Sequence, residues 1–118
     1  MVVSAYPRRG HLYWVTIPSE PTRKRRPGLV VSVDVRNRLA GDVMIVPASS
    51  VLRPAPTHVR LRQRQGGVRK ASVLKCEQLT TLPKSLLNPV PLGGSLSDRL
   101  MIEVEKAILR AIGVPIPS

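Results

Sequence analysis

The sequence predicts a mainly β protein of the α+β class, in which a small, strongly curved antiparallel sheet or barrel has helices packed on one side. Two observations support this. Short runs rich in β-branched and aliphatic residues, separated by Pro, Gly and polar turns, fill most of the chain, and one long amphipathic pattern follows near the C-terminus. A length of 118 residues is typical of one domain, so we expect residues 1–118 to form a single domain.

Five strands are predicted from the apolar runs and the turn residues that bound them. They cover residues 11–17, about 28–34, 43–47, 57–64 and about 68–79. The second is expected to be buried on both faces, because Leu29, Val30 and Val31 leave it no polar side. Residues 34–42 are predicted to be a polar connection, with Asn37 and Gly41 as turn formers.

The fourth predicted strand carries arginines along one face. Its residues alternate, with Val59 and Leu61 on one side and Arg60, Arg62 and Arg64 on the other. At a rise of about 3.3 Å per residue, successive arginines lie about 6.6 Å apart, close to the phosphate spacing of an extended single strand. The glycine pair that follows predicts a hairpin turn, and the imperfect alternation of the return strand predicts a bulge or sharp curvature.

The C-terminal third predicts a short helical turn at residues 84–87 and one long helix over residues 95–112. Ser97 is the predicted N-cap of the long helix, and Gly113 is its predicted C′ residue. The stripe expected to pack on the sheet consists of Leu100, Val104, Ile108 and Ala111.

The charge is strongly positive and unevenly distributed. The net charge is +12, and residues 1–80 hold 15 Lys and Arg against 4 Asp and Glu. A basic surface in this part of the chain is the expected footprint of a nucleic-acid-binding protein. Cys76 is the only cysteine, which excludes a disulfide framework, and no long apolar segment indicates a leader or a membrane span. We therefore expect a soluble, cytoplasmic protein that does not bind membranes.

The stretch around Arg26 is the strongest candidate for a functional site. Arg26 stands beside Pro27, which fixes its own φ and suits the first position of a strand, so the guanidinium is expected at a strand mouth where it can address a phosphate. Hydroxyl groups stand at the end of another predicted strand, at Ser49 and Ser50. Lys75 lies on a third predicted strand, close to an acidic residue.

Common catalytic layouts are missing from the sequence. It contains no HExxH, P-loop, GxGxxG or GxSxG motif, and its seven carboxylates do not cluster outside the terminal helix. We therefore expect no metal and no cofactor. His11 and His58 leave open a metal-free ribonuclease that uses one as acid and one as base, although no pattern indicates that they meet.

Several segments, in the correct order, resemble the MazF/PemK (Kid-like) toxins of type II toxin–antitoxin pairs. Residues 9–15 (RGHLYWV) resemble the family's opening RGDIWWV, residues 25–32 (RRPGLVVS) resemble RRPALVVS, residues 46–50 (VPASS) resemble VPITS, and residues 67–82 resemble the G-V…DQIRTI segment. His11 stands where the family typically has Asp, and Asn37 falls where it has an Asn after the second strand.

This resemblance implies a curved SH3-like barrel, a homodimer and metal-independent, sequence-selective cleavage of single-stranded RNA. The family's catalytic Arg corresponds to Arg26, its Thr/Ser partner to Ser49, and the acid–base pair of the Kid branch to Lys75 and Glu77. Attack by the RNA's own 2′-OH needs a base, an acid and charge stabilisation at phosphorus. Arg26 would hold the phosphoryl oxygens, and Ser49 would donate a hydrogen bond to one of them. Glu77 is a better candidate for the general base than Arg26.

Further residues are expected to bind the substrate strand. They are Arg23, Lys24, Arg25, Ser50, Arg60, Arg62 and Arg64. The implied protein partner is an acidic antitoxin laid over the basic groove. Two other functions stay open: a CcdB-like toxin that inhibits DNA gyrase without cleaving RNA, and a non-catalytic RNA-binding barrel. Arg26 together with Ser49 favours the nuclease. A CcdB-like function would rest on residues of the C-terminal helix, and residues 115–117 offer no clear match to it.

Overall fold

The computed structural model describes residues 5–20 and 24–116. The strands are β1 (Leu12–Thr16), β2 (Arg25–Val30), β3 (Asp42–Ser49), β4 (His58–Leu61), β5 (Ser72–Lys75) and β6 (Thr80–Pro83). The α-helices are α1 (Asp34–Leu39) and α2 (Asp98–Ala111), and single 3₁₀ turns occupy Gln65–Gly67, Cys76–Gln78 and Lys84–Leu86. This arrangement confirms the mainly antiparallel sheet with a C-terminal helix.

Strand β3 is the centre of the sheet. The order is β1-β2-β3-β5-β4, all pairs are antiparallel, and β6 also pairs with β3. Ile45 faces Val30 of β2 on one edge and Thr80 of β6 on the other. Further along, Ala48 and Ser49 pair with β5. Strand β3 therefore joins two parts of the sheet, as strands of small, partly open barrels do.

The alternation of side chains along the strands produces two cores. Leu12, Leu29 and Val46 point into the larger core, which lies against α2 and includes Val104 and Ala107 of that helix. The intervening residues point the other way and form a smaller core. Its buried members are Tyr13, Val15, Val30, Val43, Ile45, Leu82 and Leu87. Because both faces of the central strands are buried, the register of the sheet is strongly specified.

The second strand begins and ends earlier than predicted. It starts at Arg25, so Pro27 is its third residue and faces Trp14 of β1. The paired residues of β2 and β3 begin at Gly28 opposite Pro47. The next hydrogen bond of that ladder would need an N–H from residue 27, because the Val31 N–H donates to Met44 and the bonds recur at every second residue. Proline lacks this N–H, so β2 and β3 separate here.

The predicted turn at residues 34–42 is instead helix α1. Its Asn37 is fully buried and donates to the Ser32 carbonyl at 2.8 Å, while the Ser32 hydroxyl bonds the Asn37 side-chain oxygen. Polar residues that suggest a turn therefore form a helix, because one of them satisfies buried groups at the end of β2.

The fourth and fifth strands are shorter than predicted. Val59 and Leu61 are buried as expected, but β4 ends at Leu61. The next residues form a turn in which Arg64 has a φ of 77°, so Arg60, Arg62 and Arg64 do not share one strand face. The return path is interrupted by the 3₁₀ turn Cys76–Gln78 before β6, at the place where the pattern predicts a bulge or curvature.

The long C-terminal helix follows its predicted capping. The Ser97 hydroxyl accepts from the Leu100 N–H at 3.2 Å, and Gly113, with a φ of 80°, follows the last turn. Gly113 donates to Arg110 and the next N–H donates to Leu109, the bonding of a Schellman motif. The buried face is centred on Met101, Val104 and Ala107, about one residue away from the predicted stripe. In the described part of the chain, no helix is both long and apolar enough to cross a membrane.

Candidate functional site

A groove opens where β2 and β3 separate. Its volume is about 550 Å³. Its polar lining consists of Glu20, Arg26, Ser49, Arg53, Lys75 and Gln78. We call it the Arg26 groove. Three of the four residues predicted to be catalytic therefore line one cavity, and they come from three different strands.

The sheet register explains why Arg26 and Ser49 meet. Gly28 faces Pro47 in the antiparallel pair, so the same register extended by two residues places Arg26 opposite Ser49. The backbone hydrogen bonds between β2 and β3 do not extend to these two residues, and the space between the strands there forms the groove. Its position is therefore set by backbone pairing and by Pro27 rather than by a flexible loop.

Arg26 is held by a carboxylate. Its Nε donates to Oε1 of Glu20 at 2.6 Å, and the two side chains are only 36% and 22% exposed. A charge-assisted bond of this kind fixes one side of the guanidinium, and its remaining N–H groups can donate to another acceptor. Two cations, Arg53 and Lys75, line the same groove. The groove therefore has more positive than negative groups, which suits a phosphodiester.

Ser49 is buried at the end of β3. Its hydroxyl oxygen accepts from the Val51 N–H at 3.1 Å, which orients the side chain and leaves its own O–H to donate. Lys75 is the last residue of β5 and is partly buried. Both side chains thus stand on rigid strand ends, as a precise site requires.

Glu77 does not lie with the other three predicted catalytic residues. It belongs to the 3₁₀ turn after β5 and does not line the Arg26 groove. The Thr57 hydroxyl donates to it at 2.8 Å, and Nε2 of His58 lies 3.2 Å from its other oxygen. Partial burial would raise the pKa of Glu77, but bonds from its own backbone, Thr57 and His58 outweigh that effect and hold its pKa below the ordinary value.

The two histidines have separate surroundings. Nδ1 of His58 lies 2.7 Å from the Arg53 carbonyl, and Nδ1 of His11 lies 3.2 Å from the Gly93 carbonyl. Neither histidine lines the Arg26 groove. These contacts give no support to the alternative in which they form an acid–base pair.

The predicted substrate-binding residues occupy different surfaces. Arg60 and Arg62 line a groove of about 660 Å³ beside helix α2, together with Arg99 and Arg110. Arg64 lines a separate cavity near Gly67. A third cavity, next to the Arg26 groove, is lined by Lys24, Arg25 and Ser50 among others. Arg23 lies outside the described residues.

Glu20, Arg53 and Gln78 are the polar residues of the groove that the sequence reasoning missed. Glu20 carried one usable signal, since it is the only acid in the cation-rich segment 18–26. Arg53 and Gln78 carried no such signal, because they lie in segments that connect strands, and the sequence pattern does not show where those segments run. Over the residues that the structure describes, no group of three His, Cys, Asp or Glu side chains could hold a metal ion.

Comparisons with known proteins agree with this architecture. Residues 8–112 match the family described as the PemK-like, MazF-like toxin of type II toxin–antitoxin systems. The chain is 26% identical over 106 residues to Endoribonuclease EndoA of Bacillus subtilis, a match that covers 86% of this chain and 90% of that protein.

Solved structures give the same result. An endoribonuclease in complex with its cognate antitoxin from mycobacterial species superposes with a TM-score of 0.78 at 27% identity, covering 94% of this chain and 99% of that one. A MazE–MazF structure from Deinococcus radiodurans has a TM-score of 0.76 at 24% identity, covering 95% of this chain and 100% of that one. The fold and the site define a class of protein, namely small β proteins with a cationic groove at the end of a strand. The chain belongs to the PemK-like, MazF-like toxin family of type II toxin–antitoxin systems.

Proposed function

We propose that this protein is a sequence-selective endoribonuclease toxin that cleaves single-stranded RNA in the Arg26 groove without a metal ion. The observation that carries the proposal is the convergence of Arg26, Ser49 and Lys75 in one groove. Its supports are the family and the similarity to two proteins named as endoribonucleases.

Three side chains bind and polarise the scissile phosphate. The free N–H groups of Arg26 hold its non-bridging oxygens, and the Ser49 hydroxyl donates to one of them. The Lys75 ammonium adds a second positive charge at the end of β5. These donors face the negative charge that develops on the phosphorane, and this is where electrostatic stabilisation is most effective.

Glu20 replaces Glu77 as the proposed general base. Among the described residues it is the only carboxylate that lines the Arg26 groove, whereas Glu77 accepts hydrogen bonds from Thr57 and His58 elsewhere. Glu20 takes the proton of the 2′-OH, the 2′-oxygen forms a bond to phosphorus, and the 5′-oxygen leaves with a proton from Lys75 or Arg26. The products are a 2′,3′-cyclic phosphate and a 5′-hydroxyl.

The remaining parts of the proposal concern partners and location. We expect a homodimer, because Ile102, Leu109 and Ile112 leave an apolar stripe on the outer side of α2 that is 37–68% exposed. An acidic antitoxin would neutralise the protein by covering its basic surface, since complementary charge favours fast association. We also expect the protein to act in the cytoplasm, where cellular RNA would be its substrate.

One assay tests the proposed reaction. The purified protein is incubated with a long RNA in EDTA, and the ends of the fragments are mapped. Cuts at a defined sequence with 5′-hydroxyl ends are expected from the parent, and none from Arg26→Ala. Intact RNA together with stalled gyrase would favour the CcdB-like alternative, and RNA that is bound but uncut would favour the non-catalytic barrel. An Arg26→Ala variant that cuts at the parent rate would refute the site assignment.

A further inference from the structure

The segment between β3 and β4 forms one wall of the Arg26 groove. It covers residues 50–57, and we call it the β3–β4 loop. Val51 and Arg53 of the loop line the groove, whereas three other loop residues line a cavity of about 170 Å³ over the neighbouring part of the sheet. Residues 50–56 are all exposed, so burial contributes little to holding the loop. Its position therefore depends on its hydrogen bonds.

His58 lies between this loop and the 3₁₀ turn Cys76–Gln78. Its Nδ1 is 2.7 Å from the carbonyl oxygen of Arg53, and its Nε2 is 3.2 Å from a carboxylate oxygen of Glu77. The side chain is only 11% exposed. Since Arg53 and Gln78 both line the Arg26 groove, one imidazole ring connects the two segments that carry them.

Both groups that face the ring of His58 are hydrogen-bond acceptors. The Arg53 carbonyl has no proton to donate. Although partial burial opposes it, hydrogen bonds from its own backbone, Thr57 and His58 hold the pKa of Glu77 below its ordinary value, so Glu77 is a carboxylate at neutral pH. A neutral imidazole has one N–H and can donate to only one of these two groups, whereas an imidazolium donates to both. Only the protonated ring therefore completes both contacts.

Most other charged groups around His58 are cations. Lys75 is its cross-strand partner in β5, and Arg110 of α2 donates to the Pro56 carbonyl at 3.4 Å. The charged residues that line the groove beside α2 together with His58 are Arg60, Arg62, Arg99, Glu103 and Arg110. Among the described residues, Glu77 is the only carboxylate within hydrogen-bond distance of the ring. The positive charge of His58 therefore depends on its contact with Glu77.

Resting on the proposed nuclease function, we propose that His58 is a positioning residue whose protonated ring ties the β3–β4 loop to the turn Cys76–Gln78 and thereby holds Arg53 in the Arg26 groove. Arg53 adds positive charge beside the RNA phosphates, and this charge binds the substrate and the transition state alike. When the ring releases its proton to solvent, one of its two bonds is lost and the loop opens more often. RNA binding therefore weakens as the pH rises.

Hydrogen exchange of single amides tests this contact without RNA. The Cys76 N–H donates to the Thr57 carbonyl at 3.0 Å, and the His58 N–H donates to the Ala55 carbonyl at 3.0 Å, so both amides report whether the loop is closed. Protection factors are measured at about pH 5.5 and about pH 8.5, which span the range in which histidines change charge. In the parent they should fall by roughly 2- to 10-fold, the value of one hydrogen bond. Equal protection at the two pH values would overturn the proposal.

Two variants identify the contact. In His58→Gln the amide N–H2 group replaces Nε2 and cannot reach Arg53, so protection should be low at both pH values. In Glu77→Gln the amide can turn either its oxygen or its N–H2 group toward the ring, so protection should stay within about twofold of the parent's value at low pH. Protection in Glu77→Gln that falls with pH as in the parent would contradict the proposal.

His11→Gln is the matched control. His11 is the only other histidine of the chain, and its Nδ1 lies 3.2 Å from the Gly93 carbonyl, outside the Arg26 groove. This variant removes an equal titrating charge and should keep the pH dependence of the parent. Loss of that dependence in His11→Gln would assign it to the wrong histidine and overturn the proposal. Circular dichroism and thermal unfolding establish that each variant is folded.

Steady-state cleavage connects the contact to the nuclease. The KM of the parent for one RNA should rise by roughly 2- to 10-fold between the two pH values, and His58→Gln should have the higher KM at both. At each pH the kcat of His58→Gln should stay within about twofold of the parent, because uniform binding affects KM alone. Arg53→Gln should also have a high KM without this pH dependence, and an unchanged KM in that variant would refute the role of Arg53.

The outcomes separate the two proposals. If the parent cleaves RNA while loop protection is independent of pH, the role of His58 is refuted and the nuclease stands. If protection follows the expected pattern in the parent and the variants but no RNA is cleaved, the contact made by His58 stands and the nuclease is refuted.

Discussion

Replacing Glu20 by Gln separates two roles that its contact with Arg26 allows. The amide oxygen of Gln can still accept from Arg26 Nε, as Glu20 does at 2.6 Å, but it cannot take a proton. If Glu20 only orients Arg26, the variant loses the difference between a charge-assisted and a neutral hydrogen bond, roughly 1.5 kcal/mol or tenfold in rate. If Glu20 is the general base, the expected loss is about 10²- to 10⁴-fold.

The assay is single-turnover cleavage of a short RNA that carries a mapped cut site, in EDTA, at a series of pH values. We expect Glu20→Gln to be at least about a hundredfold slower than the parent and to lose the rise of rate with pH on the acidic side. Glu77→Gln is the comparison, because this carboxylate lies outside the Arg26 groove. A loss of tenfold or less with the parent's pH profile would refute the base role of Glu20, and an equal loss in Glu77→Gln would return that role to Glu77.

Three further predictions concern stability and reactivity. Asn37→Ala leaves the buried Ser32 carbonyl without its donor and should lower the free energy of unfolding by roughly 1–3 kcal/mol in urea titrations. Asn88→Ala, at an exposed position, should lower it by less, and equal losses in the two variants would contradict this account. Burial raises the pKa of Cys76 to about 12, so about one thiol in 10⁴ is ionised at pH 8, and iodoacetamide should label the native protein far more slowly than the urea-unfolded one. The pKa of Glu77 is lowered on folding, so its contribution to the free energy of unfolding is present above the unfolded pKa of about 4.3 and is lost as the pH falls through the folded pKa. The free energy of unfolding of the parent should therefore exceed that of Glu77→Gln by at most about 1 kcal/mol at pH 7, and this difference should shrink below about pH 4. A difference that grows below that pH would contradict the account.

The sequence predicted the parts of the site that follow from strand patterning. Arg26 and Ser49 each stand at the end of an apolar run, and the register of two buried strands brings such ends together. The family resemblance pairs Lys75 with Glu77, and the predicted strand over residues 68–79 would put both on one face; the structure ends β5 at Lys75 and continues in a 3₁₀ turn, so Glu77 lies outside the groove. Arg62 and Arg64 do not continue the strand face of Arg60 for a similar reason, since β4 stops at Leu61.

Other features depend on polar side-chain contacts that the hydrophobic pattern does not show. Helix α1 has a polar sequence, and it forms around the buried bonds between Asn37 and Ser32 rather than from an apolar stripe. Glu20 lies on a connecting segment, and its place in the groove is set by the ion pair with Arg26. Both contacts join residues that are near in sequence, but they are bonds between polar side chains and leave no trace in the apolar pattern from which the elements were predicted.

Pro27 links the fold to the Arg26 groove. Its missing N–H ends the β2–β3 ladder just before Arg26 would pair with Ser49, so the two side chains face each other across open space instead of being joined by backbone bonds. The same residue continues the pairing of β2 with β1 and faces Trp14 there, so the strand stays joined to the sheet on that edge. A proline that is tolerated on only one edge of its strand thus leaves the other edge open for a substrate.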